Sequence, residues 1–362
     1  MKYITMMLFL ILFIGCGNKD IKTIPVKYQK SVDLEIQEKL EFLNSDKFFI
    51  GGVSKIEVMD NSIFIVDHSV LKIHKFDKNL KLITSYGKKG RGPDEFSRTP
   101  KITSFGDTLV IFHDVKNELK FLDENFSVAK VLTYPMKYST TQYKPVVLNN
   151  KILVSAKSEP TGQQEKVSHI YSALILDKNG KVEKEICPFN EMYDNNRNAY
   201  IYMNKRSCIS GCFNNSFLVK QKADLDFHQF SSDGELINKY TYEPQFYKTP
   251  PKIKFGTQYK NTKEYFYKYA SKVTHFQSMY FDKKTNLIYI NYLDLFPNQY
   301  KTRSHLDANN YLMILDSNFR CIFDEKITGK LMDVHKGIVY VMIENSGEKL
   351  ELLKLKVKFN EK

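Results

Sequence analysis

One short pattern returns along this chain and constrains it more than any other feature. A turn of Asn, Asp or Gly is followed at once by a β-branched or aromatic run. It reads Asp60-Asn61-Ser62-Ile63-Phe64-Ile65-Val66, then Gly106-Asp107-Thr108-Leu109-Val110-Ile111-Phe112. It returns at Asn149-Asn150-Lys151-Ile152-Leu153-Val154, Asn214-Asn215-Ser216-Phe217-Leu218-Val219, Lys284-Thr285-Asn286-Leu287-Ile288-Tyr289-Ile290 and His335-Lys336-Gly337-Ile338-Val339-Tyr340-Val341. Turn formers directly before such runs are the signature of β-hairpins. A second piece follows most of these kernels, a strand closing on a turn such as Phe76-Asp77-Lys78-Asn79, Leu122-Asp123-Glu124-Asn125, Leu176-Asp177-Lys178-Asn179-Gly180, Ser231-Ser232-Asp233-Gly234 or Leu315-Asp316-Ser317-Asn318. The step is 14 residues from Ile63 to Asp77, from Leu109 to Asp123 and from Phe217 to Ser231.

Kernel starts at 63, 109, 152, 217, 287 and 338 give intervals of 46, 43, 65, 70 and 51 residues. A period of about 40–50 residues with four strands per unit is propeller spacing, and the longer intervals hold insertions. The expected fold is all-β: a six-bladed β-propeller of four-stranded antiparallel blades. Each blade can bury its faces only against its neighbours, so the ring has to close. The last unit supplies three strands. Val32-Asp33-Leu34-Glu35-Ile36 near the amino end alternates correctly for the fourth. The ring is therefore expected to be closed by an N-terminal strand, with the propeller spanning 31–362.

The amino end itself is of another kind. Lys2 precedes the apolar run Leu8-Phe9-Leu10-Ile11-Leu12-Phe13-Ile14, and Gly15-Cys16 follow. A positive start, a short apolar middle and a small residue before the cut is an export signal. The run falls short of the roughly 20 residues of a membrane-spanning helix. Cys16 directly after Phe13-Ile14-Gly15 resembles the lipobox of bacterial lipoproteins. That resemblance implies cleavage before Cys16, a lipid anchor on it, residues 1–15 as signal and 16–30 as tether.

Within the first unit, Asn61 to Asp77 followed by Tyr86-Gly87-Lys88-Lys89-Gly90-Arg91-Gly92-Pro93-Asp94-Glu95-Phe96 looks like an NHL-type repeat. A lipobox followed by six such units resembles the six-bladed β-propeller lipoproteins of Bacteroidota. The resemblance implies fold and envelope location, with no activity carried over. It is sharp only in the first blade, since Val131-Leu132-Thr133-Tyr134-Pro135 lacks the Gly-Pro element. Gly90 and Gly92 open no helix, so they read as inter-blade turn geometry and not as a phosphate cradle.

The formal net charge is +13. An exported chain does not meet nucleic acid, which leaves acidic polysaccharide, an envelope protein or anionic headgroups as partners for that charge, or simply a Lys-rich soluble surface. A monomer is expected. Gly17-Asn18-Lys19-Asp20 holds no run of acids of the kind linked to surface export in the lipoproteins it resembles, and that resemblance favours the periplasmic face of the outer membrane. Cys187, Cys208, Cys212 and Cys321 remain beside Cys16. Either a bend at Gly211 pairs Cys208 with Cys212, or Cys187 pairs with one of them, or the thiols stay reduced.

The insert Pro244 to Lys272 is the richest candidate site. It threads Tyr247, Tyr259, Tyr265 and Tyr267 with Lys252, Lys254, Lys260 and Lys268, and its only acid from Lys248 on is Glu264. Aromatic rings stack on the apolar faces of sugars, and ammonium groups attract uronate or sulfate. The competing reading is a short helix, Thr262 to Ser271, that packs its rings on the rim. His74 and His228 sit alike in their blades, two residues before Phe76 and Phe230, which points to a repeated structural role. His305, Asp307 and Arg303 hold the ingredients of an acid–base site without a spacing that assembles them. No Gly-x-Ser-x-Gly, His-Glu-x-x-His or phosphate loop is present. No catalytic residue, metal ligand or cofactor is assigned. The expected function is a lipid-anchored binding module for a glycan or an envelope protein. The alternative is a polysaccharide lyase or hydrolase acting on acidic glycans.

Replacing Cys16 by Ser is expected to leave unprocessed precursor and to abolish labelling by a fatty-acid analogue, read on a gel of whole cells.

Overall fold

A computed structural model describes residues 23–45, 48–113, 116–135, 138–140, 145–158, 170–190, 208–221, 224–249, 271–295, 308–346 and 348–360. It is a six-bladed β-propeller. Blade one is Val53–Met59, Ser62–Asp67, Lys72–Phe76 and Leu82–Tyr86. Blade two is Lys101–Phe105, Thr108–His113, Glu118–Leu122 and Val128–Thr133. Blade three runs outward from Val146–Leu148 through Lys151–Ser158 and Tyr171–Leu176 to Val182–Pro188, with Tyr138–Thr140 also paired to Lys151–Ser158. Blade four is Cys208–Phe213, Ser216–Gln221, Asp226–Phe230 and Leu236–Thr241. Blade five is Thr274–Asp282, Leu287–Asp294, Asn309–Leu315 and Cys321–Ile327. Blade six takes Lys330–His335, Ile338–Asn345 and Lys349–Phe359 from the carboxyl end and Val32–Leu43 from the amino end.

The kernels are the second strands of their blades, and both of their faces are buried. Ile63 and Ile65 enter the apolar layer shared with blade six, while Phe64 and Val66 enter the layer shared with blade two. A period of two thus serves two neighbours at once, which is why these runs are continuously apolar.

The constant 14-residue step has a structural cause. The first kernel residue pairs with the last apolar residue of the next strand: Ile63 with Phe76, Leu109 with Leu122, Phe217 with Phe230. The next residue then caps the turn. Asp77 Oδ1 accepts the N–H groups of Asn79 and Lys81, both at 2.9 Å. Asp123, Asp177 and Asp316 repeat this, and Ser231 Oγ does it in blade four. Side chains that bond the backbone two residues on define such turns. The fourth turn residue is left-handed in every case, at Leu80, Phe126, Gly180, Gly234 and Phe319.

The Gly-rich element after blade one is also structural. Gly92 and Arg91 donate their N–H groups to Glu95 Oε2 at 2.8 and 2.9 Å, and Gly90 N–H donates to Phe96 O. The Phe96 ring then lies where a Cβ at Gly87 would be, 2.2 Å away at its nearest atom, and Gly87 has φ +80°. The turn geometry expected of Gly90 and Gly92 is what the backbone shows.

Closure follows the expected route and extends beyond it. Val32–Leu43 pairs antiparallel with Lys349–Phe359 along its whole length. Residues 23–30, read from the sequence as tether, are ordered on the rim. Thr23–Pro25 adds a parallel fifth strand to blade four, and Tyr28 bridges to Cys321 at the outer edge of blade five. The amino-terminal segment is thus a strap across blades four, five and six. Cys16 lies outside the described residues.

Leu40 is 5% exposed in the layer between blades six and one, whereas Ile36 on the same strand is 63% exposed. Leu40→Ala is expected to cost about 3 kcal/mol of unfolding free energy in urea and Ile36→Ala under about 0.5, because only the first leaves a cavity.

Candidate functional site

Blade connectivity sorts the connections by face. Turns between first and second strands, and between third and fourth, lie on one face and are tight. Connections between second and third strands, and from one blade to the next, leave from the other. The strand ends flanking 159–169, 191–207, 250–270 and 296–307 all open onto that second face, which also holds the outer ends of Lys220, Asp224 and Lys330.

The hub between the innermost strands is polar and largely self-satisfied. Lys55 Nζ donates to Tyr280 Oη at 3.0 Å and to Met332 O at 2.9 Å, and Tyr280 Oη donates to the same carbonyl at 2.6 Å. Glu57, wholly buried, accepts from Ser104 N–H and Oγ–H at 2.6 Å each and lies 3.6 Å from Lys55. Val58 N–H donates to Asp333 Oδ2 at 2.6 Å. These bonds fasten blades one, two, five and six at the axis.

Lys330 stands apart from that network. It is the first residue of blade six's inner strand, half-buried at the mouth of the channel. Among the described residues it meets no carboxylate and no hydrogen-bond acceptor. Burial, reinforced by the nearby Lys55 ammonium, lowers its pKa to about 8. A buried cation without a counter-ion is expensive, and groups held that way cluster at functional sites.

On the same face, the end of blade four holds a second group. Lys220 is wholly buried, with its ammonium 4.2 Å from the Phe227 ring centroid and 3.9 Å from that of Phe276, and donates to Asp224 O at 2.7 Å. Burial lowers its pKa to about 7. Asn190 Nδ2 donates to Asp224 Oδ2 at 3.2 Å, and Lys239 pairs with Asp226 at 2.6 Å. Asp224, Asp226 and His228 each place one donor atom within 4.8 Å of the others. His228, expected from the sequence to share the structural role of His74, has different surroundings. His74 bonds Ser85 Oγ through Nδ1 at 2.8 Å and packs edge-on against Phe48. The acids that set His228 apart form an Asp-x-Asp-x-His alternation, legible in the sequence once the strand is placed.

Of the insert residues singled out from the sequence, Tyr247 is described. It is half-buried, packs on the layer between blades four and five, and lies 6.5 Å from the Phe276 ring. Burial holds its phenol above the usual range. Its neighbours are engaged too: Phe246 stacks on Tyr311 at 4.6 Å and Lys248 pairs with Asp294 at 2.8 Å. This start of the insert packs against the rim. Lys252, Lys254, Tyr259, Lys260, Tyr265, Tyr267 and Lys268 lie outside the described residues, as do Arg303, His305 and Asp307. Cys321 is a buried free thiol that donates to Phe323 O.

No family model matches the sequence, and no curated protein matches it either. Solved structures do. A member of the DUF4221 family from Bacteroides vulgatus superposes with a TM-score of 0.64 at 13% identity, covering 91% of this chain and 99% of that one. A protein from Bacteroides fragilis, described as exported, gives 0.60 at 12% identity over 94% and 99%. At these identities the likeness establishes the shared propeller fold.

The Lys330 ammonium is less stable folded than unfolded, so its cost is present below about pH 8 and is relieved as the pH climbs towards its ordinary value of 10.5. Lys330→Met is therefore expected to be more stable than the parent at pH 7. That advantage should shrink by pH 10 in paired urea titrations. An advantage independent of pH would show that the ammonium is not held as described.

Proposed function

We propose that this chain is an exported, envelope-anchored propeller that binds an acidic glycan on the face bearing the long connections. One observation carries the reading: Lys330 presents an ammonium at the channel mouth with no carboxylate beside it among the described residues. A uronate carboxylate or a sulfate is the partner that such a group lacks. The Lys- and Tyr-rich insert begins on the same face, and its sequence carries Lys252, Lys254 and Lys260 as cations and Tyr259 and Tyr267 as rings suited to a sugar acid. Likeness of fold to a Bacteroides protein described as exported supports the envelope setting. The lipid anchor at Cys16 and the periplasmic face belong to this proposal. An envelope protein with a matching acidic patch is the second class of partner for the same face. Hydrolysis or elimination on the glycan finds no assembled acid–base pair among the described residues, so binding is the reading adopted.

A panel of uronate-rich, sulfated and neutral polysaccharides tests it by calorimetry. An acidic member is expected to bind at 0.1 M salt and to weaken at 1 M, where the Debye length falls from about 10 Å to about 3 Å. Lys330→Gln should weaken that binding at least about tenfold. The triple replacement of Lys252, Lys254 and Lys260 by Gln should act mainly at low salt, and Tyr259→Ala or Tyr267→Ala at any salt. Equal binding by Lys330→Gln, or a preference for neutral glycans, would overturn the proposal.

A further inference from the structure

We infer that Asp224, Asp226 and His228 form a site for one divalent transition-metal ion of the zinc class at the end of blade four.

Asp226 and His228 alternate on the third strand and Asp224 lies two residues before it, and one donor atom from each lies within 4.8 Å of the other two. Among the described residues, no hydrogen bond or ion pair joins the imidazole to either carboxylate. Donors that were only pairing with one another would sit closer, within about 3 Å. Donors sharing one ion at about 2.0–2.2 Å stand up to roughly 4 Å apart across it, so small side-chain rotations bring this set onto a common centre.

The imidazole supplies the second, independent mark. His228 Nδ1 is shut off from solvent and has no hydrogen-bond partner among the described residues. Its counterpart in blade one also keeps a buried ring nitrogen, Nε2, without a bond, so the difference between the two lies in what surrounds them. His74 lies across from Ser85 in the sheet and bonds its hydroxyl. His228 lies across from Lys239, which reaches past it to Asp226 instead. The two same-face residues preceding each histidine differ as well: Val70 and Lys72 in blade one, Asp224 and Asp226 in blade four. The scaffold is the same, and only in blade four does it carry three convergent donors.

The surroundings orient the carboxylates as outer partners of metal ligands do. Asn190 Nδ2 and the Asp226 N–H hold the two oxygens of Asp224, each at 3.2 Å. Lys239 holds Asp226 Oδ2, which leaves Oδ1 for the ion. Lys220 adds a second ammonium that bonds the Asp224 carbonyl. These cations oppose metal entry, and the two carboxylates offset them. One nitrogen and two oxygens are a donor set for zinc or manganese, whereas calcium and magnesium favour oxygen alone. The site lies on the face proposed to bind glycan, yet it stands on its own residues and does not depend on that reading.

The probe is Zn2+ alone, titrated into chelator-stripped protein and followed by calorimetry and thermal unfolding. One equivalent is expected to bind and to raise the melting temperature, with Ca2+ giving neither effect. His228→Gln and Asp224→Asn should each weaken Zn2+ binding at least about tenfold, while Lys239→Gln should leave it intact or strengthen it. Zinc-edge X-ray absorption on the unaltered protein should show mixed nitrogen and oxygen ligation with a single imidazole, which keeps the test decisive if a variant misfolds. No binding at one equivalent, equal affinity in His228→Gln, or a spectrum without imidazole would overturn the inference.

Discussion

Everything in this protein depends on apolar faces that no blade can bury alone. The described core is divided into six principal layers, one between each pair of neighbouring blades, from the Ile56–Met332 layer of blades one and six to the Leu312–Val341 layer of blades five and six. Both faces of every blade are committed, so stability is shared around the ring and no single layer is dispensable. Fully buried side chains such as Phe64, Phe217 and Tyr289 sit in these layers, away from the axis.

That division leaves the axis free for charge. Where the inner strands converge, the protein places Lys55, Glu57, Asp333 and Tyr280 and satisfies them with one another and with carbonyl and amide groups. Such a network is costly only where a member lacks a partner. Lys330, apart from that network, meets no acceptor among the described residues, and it sits at the end of the channel from which the long connections depart. Tight turns close the opposite face with repeated side-chain caps, so variation is confined to one side of the ring. The same division is seen in other scaffolds whose loops carry function on a rigid base.

The fold was legible because its signals are local. Ile63 to Asp77 encodes a hairpin register and a capped turn within 14 residues, and repetition of that step revealed the blade. Closure by Val32 to Ile36 was legible because one blade came up a strand short. The candidate site was not, since its members meet only through the third dimension. Lys330 looks like any lysine until its burial and the lack of an acceptor among the described residues are known. Asp224, Asp226 and His228 carry a pattern, but a period of two places residues on one face in every strand, and only the surroundings of His228 separate it from His74. Tyr247 looked free in an aromatic and basic stretch, yet its neighbour Lys248 has Asp294, a residue 46 positions further on, to hold it against the rim.

The strap imposes an order in time. Residues 23–43 are made before every blade they join, but their partners are the edges of blades four and five and the strand Lys349–Phe359, which is made some 300 residues later. Bringing ends more than 300 residues apart together has an entropic cost that grows only logarithmically with separation, so the delay comes from waiting and not from distance. Until the final strand arrives, the layers beside blade six stay incomplete and the ring has no closed form to adopt. A chain built this way stays open until Lys349–Phe359 is available, and it locks only at that moment.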